Sequence, residues 1–598
     1  MAEPLPELPI SETVEQPPPA DPAATTDQDK GTAFDPSAPT LAPQTRLQTT
    51  PPRASVDPSL PRVPEPIRAR AMLGWERALK WVKRRPAAAA VYGLAVAVVG
   101  LVAMVMVVEI IDERLAWLWP DAETAPYIDY QAVVNDRLGK DIAPEKNANV
   151  LIWKALGPKP ENAVMPAEFF KWLRIEEPPE DGDYFVGLFS YVKDHFKLDQ
   201  DAFAAIGDEL GRASQRSWAA KDYPPIAAWL KANEKPLALI VEATRRPDYF
   251  NPLVSHRSEK DPGSLMGALV PSVQKCRELA GAMSARAMLR VGEGKFDEAW
   301  QDLLACHRLG RLVAKGGTII ESLVGIAIDQ TASRADLAYL ERAKLTSGQI
   351  RDRLKDLQSL PPLRPIADQV DLLERLTYLD QLQLIRRDGI GALESLSGGG
   401  KAKPPDARER RALAKIDWEA AQQAGNRWFD KLAAALRLKD RSDQQKALDK
   451  IEQELKALKA TGIESLGKFI HGDKMAGKGI GDVLIVLLMP AFFKVQNAHD
   501  RCEQVQRNLH VAFALAIYYR DKERYPAKLD DLAPEYLAAV PDDIFSGKAL
   551  FFRPAEKGYL LYSVGVNGKD EGGRSSDDDP AGDDLPVLMP LPELQRKE

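Results

Sequence analysis

Residues that commonly carry out acid–base chemistry or bind metals are scattered along this sequence, without the spacing of a known catalytic motif. A zinc-hydrolase helix contains His-Glu-x-x-His, a nucleotide-binding loop Gly-x-x-x-x-Gly-Lys-Ser/Thr and a serine-hydrolase turn Gly-x-Ser-x-Gly. The sequence contains none of the three, and the glycines of Gly477–Gly481 have the wrong spacing to surround a phosphate. No histidine lies four residues from a second ligand type in a recognised pattern. The six histidines are His195, His256, His307, His471, His499 and His510. We interpret them as surface or packing residues and predict no catalytic and no cofactor-binding residue.

Carboxylate pairs and cysteines give no stronger signal. Glu176-Glu177 and Glu180-Asp181 lie in proline-rich turns, where exposure to solvent would keep each pKa near its ordinary value and unsuited to acid–base catalysis. The cysteines are odd in number and lack Cys-x-x-Cys spacing, so they indicate neither a zinc site nor a disulfide framework, although one bridge is left open. They are Cys276, Cys306 and Cys502.

The composition is that of a globular chain. At 598 residues, with 45% apolar and 28% charged residues, the protein is long enough for two or three domains. Its net charge of −7 provides no overall basic field, and we therefore expect no nucleic-acid partner.

The strongest single signal is an uncharged apolar stretch, Ala87–Val108, which is long enough to span a bilayer as a helix. It lies too far from Met1 for a signal peptide, and the alternative is a buried core helix. Basic residues precede the stretch and acidic residues follow it, which predicts a cytoplasmic N-terminus. The basic residues are Arg68, Arg70, Arg77, Lys80, Lys83, Arg84 and Arg85, and the acidic ones are Glu109, Asp112, Glu113, Asp121 and Glu123. The sequence thus predicts a single-pass protein of the inner (cytoplasmic) membrane, with the lipid bilayer as a partner and a periplasmic or extracytoplasmic body.

Around this anchor the chain divides by composition into five segments. Residues 1–66 are proline-rich and predicted to form a disordered cytoplasmic tail, 67–86 are a basic juxtamembrane segment, and 87–110 are the transmembrane helix. Residues 111–490 show apolar positions at helical spacing and predict a helical domain, with a glycine-rich linker near 396–405. A stretch near 285–311 resembles one tetratricopeptide-like hairpin, and we favour an ordinary helical hairpin over a peptide-binding groove.

The last segment, 491–598, has the pattern of a small α+β domain. A short apolar run, Val483–Phe493, is too short to span a membrane and is predicted to be buried or interfacial. A long helix then ends before Pro526, a short helix covers Leu529–Leu532, and strand-like alternation follows in Lys548–Arg553 and Gly558–Ser563. The fold class predicted for the whole chain is mainly α, with a long helix and a short antiparallel sheet at the C-terminus.

This C-terminal segment resembles the globular domain of the major pseudopilin of type II secretion systems, the protein G type. The matching residues are Leu515–Tyr519, Arg524-Tyr525-Pro526, Leu529–Leu532, Pro534–Leu537, Val540-Pro541, Asp543, Phe545, Gly547, Gly558-Tyr559, Leu561–Gly565 and Asn567-Gly568. The signal that directs cleavage and assembly of pilins does not precede Ala87 or Val483. As a whole, the chain resembles large single-pass membrane proteins of the planctomycete type that carry such a C-terminus.

The resemblance implies a calcium site in the loop after the second strand. Residues at the matching positions supply hard oxygen ligands of the kind that calcium prefers. They are Ser563, Asn567, Asp570, Asp583 and Asp584. Asn567 replaces the usual aspartate, which would weaken the affinity, and the alternative is a solvated acidic insertion.

These features favour a noncatalytic, membrane-anchored extracytoplasmic scaffold or interaction protein with a pseudopilin-like, calcium-binding tip. One alternative is a membrane-tethered enzyme whose site is assembled from distant residues of the helical body, and another is an accessory component of a type II secretion-like machine. A deep pocket with converging histidine and carboxylate groups would favour the enzyme, and a solid helical body would favour the scaffold. Secretion-system components are candidate partners, and the sequence does not fix the oligomeric state.

Overall fold

Helices form most of the structure. The computed structural model describes residues 127–594 except for 161–162, 258–262, 269, 390, 393–412 and 471–476. The predicted tail, juxtamembrane segment and transmembrane helix, and the predicted linker near 396–405, lie outside the described residues. The predicted mainly helical body and short antiparallel sheet are confirmed.

The first part of the body is built from short helices. They are α1 (Tyr130–Gly139), α2 (Ala148–Leu156), α3 (Ala167–Leu173), α4 (Leu188–His195), α5 (Gln200–Ala213), α6 (Pro224–Ala232) and α7 (Glu234–Ala243). Side chains of Asp129, Asn147 and Asp199 accept hydrogen bonds from backbone N–H groups in the first turns of α1, α2 and α5. These N-caps satisfy donors that have no partner inside a helix.

Four helices that follow form the centre of the body, and the first three are longer than any before them. They are α8 (Pro271–Gly292), α9 (Phe296–Val313), α10 (Ile319–Arg342) and α11 (Ser347–Gln358). The predicted hairpin near 285–311 corresponds to α8 and α9, which are joined at Gly294, where φ is +76°. Capping boxes built on Thr318 and Thr346 fix the starts of α10 and α11.

Glycines bring α9 and α10 unusually close together. A Cβ atom at Gly325 would lie 2.5 Å from the carbonyl oxygen of Gly310, and one at Gly310 would lie 2.8 Å from the carbonyl oxygen of Gly325. The two backbones therefore pack with no side chain between them at this point. This close approach places the neighbouring side chains of the two helices within hydrogen-bond distance of each other.

The second half contains the remaining helices. They are α12 (Ile366–Gln369) and α13 (Arg375–Asp388), which flank a π-helical turn (Val370–Glu374), then α14 (Trp418–Leu436), α15 (Arg441–Ile470), α16 (Gly477–Leu488) and α17 (Pro490–Lys522). The long helix predicted to end before Pro526 is α17, and Glu523 follows it in the left-handed conformation. This helix packs along α10 and α11.

The predicted short helix is a 3₁₀ turn at Leu529–Leu532, and three strands follow it. Strand β1 (Phe551–Ala555) pairs antiparallel with β2 (Gly558–Ser563), and β2 pairs antiparallel with β3 (Leu585–Met589). Tyr559, Leu561, Val587 and Met589 are buried on the side of the sheet that faces the helical core. The third strand carries Pro586 and was not predicted.

One hydrophobic core extends from α2 through the four central helices to α17 and the sheet. The rings of Trp300 on α9 and Phe513 on α17 lie 5.9 Å apart at its centre. A second core joins α12 to α16 and the start of α17, where Phe429 lies 6.2 Å from Phe492. The division at 490/491 into two domains remains a prediction, and α17 contributes side chains to both cores.

One helical stretch among the described residues, Gly479–Lys522, is long and apolar enough to cross a membrane. It includes the boundary between α16 and α17. More than half of its apolar window is buried inside the protein, as in the core helix of a globular domain. Val483, Leu484, Ile485 and Phe492 are among the buried side chains, which is one of the two alternatives, buried or interfacial, predicted for this run; Leu487 is exposed.

Candidate functional site

The predicted calcium ligands lie in and beside the loop that joins β2 to β3, where Asn567, Asp583 and Asp584 take part in closing the loop. Asp583 forms an ion pair with Arg501 of α17, and its Oδ2 accepts a hydrogen bond from the backbone N–H of Asn567 at 2.8 Å. Asp584 Oδ2 accepts from the N–H groups of Glu571 and Gly573 at 3.1 and 2.7 Å. The loop is therefore closed on itself by its own carboxylates.

Two of the predicted ligands are oriented elsewhere. Ser563 is buried, and its hydroxyl donates to Asp543 Oδ1 at 2.9 Å. Asp543 also accepts from the N–H groups of Phe545 and Val564, so this buried carboxylate organises the start of the loop. Asp570 Oδ1 accepts from the Tyr562 hydroxyl at 3.0 Å, on the strand side.

The loop also contains a buried carboxylate oxygen that accepts no hydrogen bond from the described residues. Asp584 Oδ1 is buried and has no hydrogen-bond partner among the described residues. Burial raises the pKa of Asp584, and the carboxylates of Glu571 and Asp570 add to the rise, against the two backbone hydrogen bonds that lower it. A bound cation would relieve this repulsion. Across the described ranges, however, no three or more His, Cys, Asp or Glu side chains are grouped so that they could hold a metal ion.

A second cluster, the buried charge network, was not predicted from the sequence. His307 of α9 lies between two carboxylates of α10: its Nδ1 is 2.8 Å from Asp329 Oδ1, and its Nε2 is 2.8 Å from Asp336 Oδ2. All three side chains are completely buried. Because both ring nitrogens face acceptors, the geometry fits an imidazolium that donates both N–H groups.

Asp329 is the centre of the network. Its carboxylate accepts from Arg311 Nε and Nη2 at 3.2 and 3.1 Å, in addition to His307. Two donors come from α17: Cys502 Sγ at 3.2 Å and Gln506 Nε2 at 2.9 Å. Three helices thus meet at one carboxylate, and α17 is joined to the body by polar contacts as well as by apolar packing.

The pKa values follow from this arrangement. Burial alone would lower the pKa of His307, but the carboxylates of Asp336 and Asp329 outweigh it and raise the pKa to about 9. Burial alone would raise the pKa of Asp329, but His307 and Arg311 lower it to about 2. Burial raises the pKa of Asp336 although His307 opposes it. For His510 on α17, burial and then the charge of His307 lower the pKa to about 4.

Spacing alone contained a partial signal for this network. His307 and Arg311 are four residues apart on α9, and Asp329 and Asp336 are seven apart on α10, so each pair lies on one face of its helix. Isolated charges on otherwise apolar faces indicate buried pairing. The sequence could not show that the two faces meet.

A related cluster lies within the predicted hairpin. Asp302 of α9 is buried and accepts from Arg286 Nη2 and Arg290 Nη1 of α8, each at 2.6 Å. These contacts hold the two helices together on their polar side. They leave no free acid or base, since each carboxylate oxygen already has a donor.

Comparison of the chain with protein-family models, with curated proteins and with solved structures finds no match.

Proposed function

We propose that this chain is a noncatalytic, membrane-anchored extracytoplasmic scaffold whose C-terminal, pseudopilin-like region binds calcium. The observation that carries the proposal is the buried charge network. The histidine and the carboxylates that converge in the helical body are completely buried and bonded to one another. Groups that substrate cannot reach serve packing, and here they join the helix of the C-terminal region to the body.

Rigidity follows from this connection. The buried carboxylate of Asp329 on α10 accepts hydrogen bonds from two other helices, α9 and α17. Separating these helices is unfavourable, because removal of a partner leaves a buried charge without compensation. Side chains from the helical body and from the sheet also share one hydrophobic core. A body and a tip held together in this way present a surface of constant shape to partners, which suits a scaffold.

The membrane part of the proposal is tested by labelling of cysteine variants with a membrane-impermeant maleimide. The native thiols provide a clean background. All three are buried, and burial raises the pKa of Cys276 and Cys306 to about 12 and raises that of Cys502 as well. In spheroplasts, which keep an intact cytoplasmic membrane, we expect Ser576→Cys to be labelled, since this position in the β2–β3 loop is exposed.

The matched variant is Ser37→Cys in the predicted cytoplasmic tail, which we expect to be labelled only after lysis. The reverse pattern, or labelling of both variants before lysis, would contradict the proposed orientation. Labelling of the unmodified chain before unfolding would contradict the burial of its thiols.

The calcium part is tested by calorimetric titration of the full-length chain in detergent. We expect saturable binding and a higher melting temperature, since a ligand of the folded state stabilises it. Asp583→Asn/Asp584→Asn should abolish both effects, because these variants remove the two charges at the loop closure. Asp577→Asn/Asp579→Asn, which removes two exposed charges of the same loop, should leave them unchanged. No binding at millimolar calcium would refute this part of the proposal.

A further inference from the structure

A cavity of about 440 Å³ opens between the end of α7, the last turns of α9 and the segment after α11. Five of its lining side chains are cationic: Arg245, Arg246, Arg308, Arg311 and Lys315. The rest of the lining consists of one threonine, one leucine and two prolines, without an acidic side chain. Such a wall is unexpected in a chain with more acidic than basic residues.

Only one of these five cations is neutralised by a carboxylate. Arg311 is paired with Asp329 in the buried charge network. In the described part of the chain, no carboxylate lies within the 4.0 Å ion-pair distance of Arg245, Arg246, Arg308 or Lys315. Asp356 attracts Arg308 from farther away, and its own carboxylate accepts from the indole N–H of Trp300.

Two of the four cations are held in place by neutral acceptors. Arg246 Nη1 donates to the carbonyl oxygens of Pro144 and Asn147 at 2.9 and 2.8 Å, and Lys315 Nζ donates to that of Pro247 at 2.7 Å. These bonds fix the positions of the side chains and leave their charge in the cavity.

The guanidinium groups of the other two, Arg245 and Arg308, make no hydrogen bond or ion pair within the described residues. Burial, together with the charge of Arg245, lowers the pKa of Arg308 against the attraction of Asp356. The two groups therefore repel each other across the cavity.

Helix ends explain only part of this charge. Helices α7 and α9 both end near the cavity, and cationic residues are favourable at helix C-termini. Each C-terminus carries roughly half a negative charge, so two ends offset about one of the four positive charges. A second cavity shares Lys315 and adds Arg364 and Asp248, one charge of each sign. A surplus of about three positive charges remains.

We propose that this cavity is a binding site for a compact anion that carries at least two phosphate groups. Guanidinium groups match phosphate oxygens in charge and geometry, since each can donate two parallel hydrogen bonds. The volume is in the range of small-molecule sites, roughly 300–1,000 Å³, and exceeds the needs of one phosphate. The lining contains no aromatic side chain, so a nucleobase would find no ring to stack on. Arg245 and Arg308 are the principal ligands, with Arg246 and Lys315 as fixed secondary ones.

The test is calorimetric titration of the full-length chain, purified in a non-ionic detergent, with pyrophosphate in a buffer free of divalent cations. We expect saturable binding that weakens as sodium chloride is raised from 50 to 300 mM. Arg245→Gln/Arg308→Gln should weaken binding at least tenfold without lowering the melting temperature, because neither side chain has a hydrogen-bond or ion-pair partner and the two charges repel each other. The matched control is Arg277→Gln/Arg334→Gln, which removes two exposed arginines from α8 and α10 and should leave the affinity unchanged.

Two further titrations identify the source of the phosphate. Short-chain diacylglycerol pyrophosphate tests a lipid headgroup that carries two phosphate groups, and orthophosphate tests the need for two. Tighter binding of pyrophosphate than of orthophosphate supports the proposal, and equal binding of short-chain diacylglycerol pyrophosphate would identify a headgroup as a further source. Absence of saturable pyrophosphate binding up to 10 mM, or equal loss in both double variants, would overturn it.

Discussion

The raised pKa of His307 predicts that this protein loses stability as the pH rises from 6.5 to 8.5. The pKa of His307 is about 9 in the folded state, whereas the ordinary pKa of a histidine is 6.5. A group whose pKa is higher in the folded state stabilises the fold fully below the unfolded pKa, and the effect disappears as the pH approaches the folded pKa. Deprotonation of one histidine thus weakens the contacts among α9, α10 and α17.

The magnitude follows from the two pKa values. Since one pH unit of pKa difference corresponds to roughly 1.4 kcal/mol, the proton on His307 contributes about 3 kcal/mol at pH 6.5 and about 1 kcal/mol at pH 8.5. Asp329, with a pKa of about 2, stays charged over this range. The low pKa of His510 acts in the opposite direction, mainly at and below pH 6.5.

The assay is urea denaturation of the full-length chain at pH 6.5, 7.5 and 8.5, compared with His307→Gln and with His195→Gln at an exposed position. Between pH 6.5 and 8.5, the free energy of unfolding should fall by about 2 kcal/mol more in the unmodified chain and in His195→Gln than in His307→Gln. Buried thiols contribute equally to all three proteins, so they cancel in the comparison. If His307→Gln does not fold, Asp336→Asn provides the second test, because loss of one carboxylate lowers the pKa of His307. Equal pH dependence in every variant would refute the reasoning.

Two further substitutions test the packing of the body. Gly325→Ala should destabilise the fold by about 1–3 kcal/mol, because its Cβ would lie 2.5 Å from the Gly310 carbonyl oxygen. The control is Gly211→Ala on α5, whose Cβ would meet nothing within 4 Å; it should be neutral or stabilise the fold by roughly 0.5–1 kcal/mol. Equal melting temperatures of the two alanine variants would contradict the close approach of α9 and α10. Asp302→Asn should destabilise by about 3 kcal/mol or more, since it leaves Arg286 and Arg290 without their carboxylate. Asp183→Asn, which breaks an exposed pair with Lys235, should leave the free energy of unfolding nearly unchanged because solvent screens the pair. A similar loss in both variants would show that burial of Asp302 does not matter.

Helices and turns were predicted well where the segment itself contains the residues that start, end or turn the chain. The hairpin of α8 and α9 follows from small residues and a turn glycine, Gly294, and the end of α17 follows from Pro526. Strand β3 was missed because Pro586 and Pro590, within and just after it, disfavour a strand. The structure shows why such prolines are tolerated: among the described strands, β3 lies at the edge of the sheet and pairs with β2 alone.

The sites were harder to predict, because each is assembled from distant segments. Asp329 receives donors from Cys502 and Gln506, which follow it by 173 and 177 residues. The basic cavity combines Arg245 and Arg246 with a stripe on α9 more than sixty residues later. Residue types and spacing identify each face separately. Only the packing of the helices brings the faces together, and no local pattern encodes that.

The long sequence separation at Asp329 also has a consequence for how the chain acquires its structure. During synthesis, α9 and α10 leave the ribosome before α17. Until α17 follows, Asp329 lacks the donors Cys502 and Gln506, and the apolar surface that α17 covers stays exposed. Contacts between residues this far apart in sequence form late and slow folding, because the entropy of the intervening chain is lost before the contacts stabilise the fold. A ribosome-stalled or truncated chain that lacks α17 would expose both the groove and the unpaired charges. Such a chain is expected to be a substrate for chaperones and proteases, which makes α17 the element that completes the fold.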